Sequence, residues 1–226
     1  YNNPSLWIFR NLMGMRSETT PRMGMGHSSE FGCALGLFFK RSDKDIVEHT
    51  TNHMVNQFDG EWHDETDKVG SIALNFQNAI KEHFPGFGVP HLFQRYRRHS
   101  LPNLEHPITT VTDFEWEDMI IDTKATLAVP SKPREDHVRQ QSLYSVLIGK
   151  PVTLVYASHK KSAVYELDEE TIMSNYETMI NSFESLELFM KTVPNIKTFK
   201  KMIPLNTDGY KWSEEDRKYA QENWKT

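Results

Sequence analysis

The run Ile108-Thr109-Thr110-Val111-Thr112-Asp113-Phe114-Glu115-Trp116-Glu117-Asp118-Met119-Ile120-Ile121-Asp122-Thr123-Lys124 constrains this chain more than any other stretch. β-Branched residues lead into an acidic middle and the apolar Met119, Ile120 and Ile121 lead out, a pattern that predicts two antiparallel strands joined by a tight turn. Residues two apart on a strand share a face, so Asp122 and Lys124 stand together while Thr123 points away. Folding the hairpin back brings Asp113 beside Asp122. Two carboxylates and an ammonium in one small volume are the ingredients of a divalent-cation site. Carboxylate oxygens can hold Mg²⁺, which keeps waters and takes its remaining ligands from a phosphate. The lysine can orient or deprotonate a water, or stabilise a pentacovalent transition state.

At 226 residues, with 38% hydrophobic and 12% aromatic residues, the chain is long enough for one substantial core, and its length favours one domain over two. The one cysteine, Cys33, excludes an internal disulfide framework and any four-cysteine zinc or iron–sulfur site, and it fits a reducing, cytoplasmic setting. No run approaches the roughly 18 apolar residues needed to span a bilayer, and no signal pattern opens the chain, so no membrane partner is expected. Tyr1 in place of a methionine suggests that residues precede it. A net charge of −5 argues against a general nucleic-acid coating protein but leaves room for a local basic track.

In chain order, residues 3–16 carry a Pro near the start and apolar residues at helical spacing, and the Pro- and Gly-containing segment 20–30, with one acidic residue, enters a second helix over the apolar-rich 31–39. Helical periodicity returns over 45–58 and 68–84, with an acidic loop between them and the break Pro85 to Pro90 after them. His49 and His53 are four apart on the first of these helices, but the glutamate of a His-Glu-x-x-His zinc motif is missing. Strands are predicted over 91–98 and 104–111, then over 151–157 and 163–167, with a helix over 134–148 between the two pairs. Gln140 and Tyr144 are four apart and share a face of that helix. Arg95, Arg97 and Arg98, and further on Lys197, Lys200 and Lys201, are the basic clusters suited to a phosphate backbone. Ile148-Gly149-Lys150 lacks the flanking residues of a phosphate-binding P-loop. A long helix over 168–191 starts on an acidic turn, and Ser213 is a good N-cap for a closing helix.

Five of these features occur in the order found in the PD-(D/E)xK nucleases, and the chain resembles their RecB-like and lambda-exonuclease-like members of phage type. They are a Pro4-Ser5 helix ending in Gly14-Met15-Arg16, the Gly-x-x-x-Glu of Gly26 and Glu30, Asp113, the Asp-x-Lys of Asp122 to Lys124, and the Gln-x-x-x-Tyr of Gln140 and Tyr144. The tail over 204–216 also resembles the C-terminal stretch of phage exonucleases of this kind. Thr112 stands where the family has a proline, and the offset of His27 from the glycines does not fit the family's histidine position.

The resemblance implies an α/β, restriction-endonuclease-like fold: a mixed central sheet flanked by helices, with an N-terminal helical part. One domain would cover 1–226, with a mostly helical 1–90 containing an insertion, a sheet core carrying the active site over 91–167, and C-terminal helices over 168–226. It implies a Mg²⁺- or Mn²⁺-dependent DNA exonuclease without an iron–sulfur cluster. Glu30, Asp113, Asp122 and the main-chain carbonyl of Thr123 would hold the metal, Lys124 would be the catalytic lysine, and Gln140 and Tyr144 would support the substrate side. DNA is the expected partner, bound by the arginine and lysine clusters, with room for a homo-oligomer or a recombination partner protein. The setting would be the host cytoplasm if the chain is of phage origin. A structure- or site-specific endonuclease and a catalytically silent DNA-binding scaffold are the alternatives on the same fold.

Overall fold

In the computed structural model the described residues are 6, 8–15, 19–193, 195–208 and 211–224. Pro4, Ser5 and Arg16 of the expected opening motif, and Gly209 and Tyr210 of the tail, lie outside them. Residues Ile8–Leu12 form one short π-type turn. There follow α1 (Pro21–Phe39), α2 (Asp43–Asn56), α3 (Thr66–His83), β1 (Leu92–His99), β2 (Ile108–Glu115), β3 (Ile120–Ala125), α4 (Glu135–Ile148), β4 (Val152–Ala157), β5 (Ser162–Glu166), α5 (Glu169–Thr192), α6 (Ile196–Met202) and α7 (Glu214–Asn223).

The strands make one five-stranded sheet in the order β1-β2-β3-β4-β5. All neighbours are antiparallel except β3 and β4, which run parallel with Asp122 beside Leu154 and Lys124 beside Tyr156. A parallel pair needs a long crossover, and α4 supplies it. Gly149 ends that helix at φ +76°, in the left-handed region where a residue with a side chain is strained. The protein is therefore α/β, with a mixed sheet flanked by helices and an N-terminal helical part, as the sequence predicts.

The central hairpin turns later than its sequence suggests. β2 continues past Val111 to Glu115, which lies opposite Ile120, and the turn spans 116–119, closed by the Trp116 N–H donating to the Met119 carbonyl at 2.9 Å. Phe114 and Trp116 are buried and hold the strand in place, so Asp113 lies within β2 and not at a polar tip. The two faces of the sheet are told apart by neighbouring isoleucines. Ile121 clusters with Phe114, Val155 and Ala157 against α1 and α3, through Cys33, Leu37, Ile72, Phe76 and Ile80. Ile120 clusters with Val152 against Leu143 and Tyr144 of α4 and Tyr176, Met179, Ile180 and Phe183 of α5. That is the period-two alternation of a strand buried on both sides.

The chain divides into two compact units, Gly24–Phe183 and Tyr1–Met23 with Glu184–Thr226. The sheet belongs to the first, with α2, α3, α4, α1 from Gly24 and α5 as far as Phe183. The second has its own apolar cluster, in which Phe9 meets Trp212 at 5.0 Å between ring centres and Phe199 and Trp224 are buried. Its last helix is capped as predicted, the Ser213 hydroxyl accepting from the Asp216 N–H at 3.0 Å.

Gly32 of α1 sits where three helices meet. A Cβ there would lie 2.0 Å from Thr50 Oγ1 and 2.7 Å from Ala73 Cβ. Alanine favours a helix interior by about 1 kcal/mol over glycine, whereas overpacking a tight core costs about 1–3 kcal/mol. Gly32→Ala should therefore lower the urea midpoint despite its better helix propensity, and a raised midpoint would refute the close packing of α1 on α2 and α3.

Candidate active site

Asp113 occupies a gap in the sheet. The β1–β2 register pairs Phe93 with Phe114 and Arg95 with Thr112 but omits Gln94 and Asp113 between them. The β2–β3 pairing consists of Phe114 with Ile121 and Glu115 with Ile120, stopping one step short of Asp113 and Asp122. On one side Gln94 adopts φ +49°, a left-handed conformation in mid-strand. On the other, the Thr123 N–H donates to Asp113 Oδ2 at 2.7 Å and the Thr123 hydroxyl donates to the same oxygen at 2.9 Å. A carboxylate thus takes the hydrogen bonds that a strand carbonyl would otherwise accept, and Thr123, expected to point away, reaches back towards Asp113.

Strand β3 presents Asp122 and Lys124 as a pair, Lys124 Nζ lying 2.5 Å from Asp122 Oδ2. Lys124 also donates to Gln140 Oε1 at 3.2 Å, Gln140 Nε2 donates to the Tyr144 hydroxyl at 3.1 Å, and that hydroxyl accepts from the Val111 N–H at 3.3 Å. Because Gln140 and Tyr144 are one turn apart, α4 ties the lysine of β3 to the backbone of β2. Glu30 enters from α1 and accepts from Gln94 Nε2 at 3.4 Å.

Charge crowding dominates the electrostatics. Burial, then repulsion from Asp113, raises the Glu30 carboxyl well above its ordinary range, with Asp122 adding to the shift and Lys124 opposing it. Burial also raises Asp113, against the pull of Lys124 and the two hydrogen bonds from Thr123. Asp122 is pushed up to about 7 by burial, with the Lys124 ammonium opposing and Asp113 adding. For Lys124 burial works against the charge, but Asp122 and Asp113 outweigh it, so its pKa is raised and it stays an ammonium. The four groups therefore share one field, and Lys124 is a fixed cation poorly suited to deprotonate water.

Three participants are illegible in the sequence. Gln94 looks like an ordinary exposed strand residue. Gln141, wholly buried, lies beside Asp122, and its amide works with Lys124 to hold the Asp122 carboxyl down against the effect of burial. Glu115, buried near the hairpin turn, receives Arg97 at 2.8 Å and Lys150 at 2.7 Å. Arg97 is thereby committed to an internal ion pair, while Arg95 and Arg98 are exposed on the edge strand. Lys197, Lys200 and Lys201 lie on α6 of the smaller unit, where Lys200 donates to the Asn223 carbonyl at 2.7 Å. His53 has a packing role: its Nδ1 bonds Ser28 Oγ at 3.0 Å and Gln57 Nε2 at 2.8 Å, and its ring stacks on Phe31.

The strain at Gln94 has a testable signature. A left-handed conformation costs an L-residue about 1–2 kcal/mol, which glycine avoids at an entropic cost of about 0.5–1 kcal/mol. Gln94→Gly should leave stability within about 1 kcal/mol, while Gln94→Val should be clearly destabilising despite valine's strand propensity. Denaturant titrations with valine equal to or above glycine would contradict the backbone seen here.

The donor set of Glu30, Asp113, Asp122 and the Thr123 carbonyl is all hard oxygen, and its raised carboxyls mark negative charge that a divalent cation would offset. In chemical character the residues fit Mg²⁺ or Mn²⁺. Among the described residues, no three His, Cys, Asp or Glu side chains stand ready in metal-ligand geometry, and no helix is long and apolar enough to cross a membrane.

No protein-family model matches the chain, and no curated protein matches it. Among solved structures it is similar to one titled "Crystal structure of SSO0001", at 16% identity over 68% of this chain and 73% of that one, with a TM-score of 0.34. A likeness at that level carries no argument about fold or function.

Proposed function

We propose that this chain is a metal-dependent DNA exonuclease that hydrolyses phosphodiester bonds. The observation that carries the reading is the pairing of Lys124 with Asp122 inside a field shared with Asp113 and Glu30, braced by Gln140 and Tyr144. The order of these residues in the chain matches the nuclease family it resembles. Glu30, Asp113, Asp122 and the Thr123 carbonyl would hold Mg²⁺ or Mn²⁺. When bound, the ion supplies a water of lowered pKa and neutralises phosphoryl charge.

The chain's own residues account for the rest. Lys124, held as an ammonium, offsets the extra negative charge that builds on the phosphoryl oxygens as a water oxygen adds to phosphorus. The ester P–O bond breaks, the leaving oxygen takes up a proton, and the water's proton passes to solvent. Gln140 fixes the position of the ammonium and Tyr144 fixes Gln140, so the cation need not reorganise during the step. Asp113, anchored twice by Thr123, keeps one oxygen clear of these bonds.

The preference for chain ends rests on the likeness to phage-type enzymes. With Mg²⁺ or Mn²⁺, end-labelled linear DNA should lose nucleotides progressively while covalently closed circles survive. Rapid linearisation of circles would favour a structure- or site-specific endonuclease on the same site. No cleavage of either substrate with either metal would favour a silent DNA-binding scaffold.

A further inference from the structure

Away from the carboxylates, the larger unit carries a groove of about 530 Å³ between the end of α1, the end of α3 and the segment 84–89. Its lining includes three cations, Lys40, Arg41 and Lys81, and a single acid, Asp43. None of the three cations makes an ion pair among the described residues. In a chain of net charge −5, three unpaired cations on one groove are a local reversal of sign. Gln77 also lines it. This side chain is only 3% exposed, yet its amide makes no hydrogen bond among the described residues. It lies directly over Gly36, where a Cβ would come within 2.4 Å of the amide. The glycine makes room for a buried amide that has both donors and an acceptor to offer a ligand. Phe84, partly exposed, supplies flat apolar surface, while the buried Trp116 closes the floor.

The groove adjoins the candidate active site along one helix. Glu30 and the lining residue Leu37 are seven apart on α1, hence on the same face and about 10 Å from each other along the axis. Between them lies Cys33, buried within the field of Glu30 and Asp113 of the site and of Lys81 of the groove.

We infer that this groove binds the sugar–phosphate backbone of a single nucleic-acid strand, carrying the part of the substrate that flanks the bond to be cut. The inference rests on the nuclease reading for its substrate. Unpaired cations along a groove, with the Phe84 ring and a free amide, are what sequence-tolerant strand binding uses: charges for phosphates, a ring for a base, and an amide for a base edge. The exposed arginines of β1 are not needed for it.

Binding and cleavage can be measured separately. The probe is a fluorescently labelled oligothymidylate of about 20 nucleotides, bound by the wild-type chain and by the triple variant Lys40→Ala, Arg41→Ala, Lys81→Ala in metal-free buffer. All three residues are exposed, so the fold should persist. Loss of three phosphate contacts should reduce the slope of log affinity against log salt by about 2, at roughly 0.7 per contact on a single strand. At low salt the affinity should fall at least tenfold. With Mn²⁺, hydrolysis of a small diester, bis(p-nitrophenyl) phosphate, should be unchanged in the variant, while KM for the oligonucleotide rises by a similar factor. Wild-type affinity and salt slope in the variant would overturn the groove assignment, whether or not DNA is cut. If the wild type hydrolyses neither substrate but the binding difference persists, the groove stands and the nuclease reading falls.

Discussion

Replacing Lys124 by alanine should lower phosphodiester hydrolysis by roughly 10²–10³-fold or more, the loss seen when a preorganised transition-state donor is removed. The substitution removes the cation 2.5 Å from Asp122 and the group that Gln140 positions. Folding should survive, because Asp122, only 1% exposed and already pushed up to about 7, can take a proton in place of its lost partner. That carries a pH dependence of defined sign. Where a carboxyl's pKa is higher in the folded state, the native chain binds more protons than the unfolded one, so stability falls as pH rises between the two values. For Asp122 in metal-free buffer that window runs from its ordinary value of 3.8 to about 7, and losing Lys124 extends it upward. The variant should therefore be inactive at pH 8 with Mn²⁺, and without metal more stable at pH 6 than at pH 8. Near-wild-type turnover would remove Lys124 from the chemistry.

Glu115→Ala should produce the largest loss of stability, about 3–5 kcal/mol, the cost of breaking a buried ion pair by deleting one partner. Glu115 is 3% exposed and carries both Arg97 and Lys150, and Lys150 also donates to the Trp116 carbonyl at 2.8 Å. Deleting the carboxylate leaves two cations facing each other behind the central hairpin. Burial alone would raise the Glu115 pKa, but hydrogen bonds from Lys150 and Arg97 bring it below its ordinary value of 4.5. Its stabilisation is therefore fully present above about pH 4.5 and is lost as pH falls through the depressed folded value. Urea titrations across this range should show the wild type losing stability on acidification with a contribution that the variant lacks. A loss below about 1 kcal/mol at pH 7 would mean that the two cations find water without cost.

What the sequence makes legible here is what depends on short periods. The alternation along β3 puts Asp122 and Lys124 on one face, the four-residue spacing on α4 aligns Gln140 with Tyr144, and the hairpin brings β2 against β3. Helix and strand boundaries fall within a few residues of the pattern except at three places: the hairpin, where a strand continues through Asp113 because Phe114 and Trp116 need burial; α1, which starts at Pro21 and not at 31; and the opening segment, where Leu6 and Ile8–Leu12 alone are helical among the described residues. Features that depend on where separate segments meet are hidden. The charge of Glu115 reads as part of a polar turn, since its partners Arg97 and Lys150 come from β1 and from beyond α4. Nothing in Phe93-Gln94-Arg95 signals a left-handed residue, because the gap around Asp113 arises only when three strands assemble. Lys40, Arg41 and Lys81 are ordinary helix-end cations until α1 and α3 pack side by side.

The lone thiol of Cys33 is fully buried, and burial, with repulsion from the Glu30 and Asp113 carboxylates, drives its pKa far up. Only the thiolate reacts with alkylating and disulfide reagents, so the folded chain should be inert to them. Modification then measures how often the protein opens between α1 and the sheet. Because the sequence has no other cysteine, each labelled molecule records one such opening. A ligand that ties α1 to the strands should slow labelling in proportion to its occupancy, giving a reporter of binding that requires no substrate to be consumed.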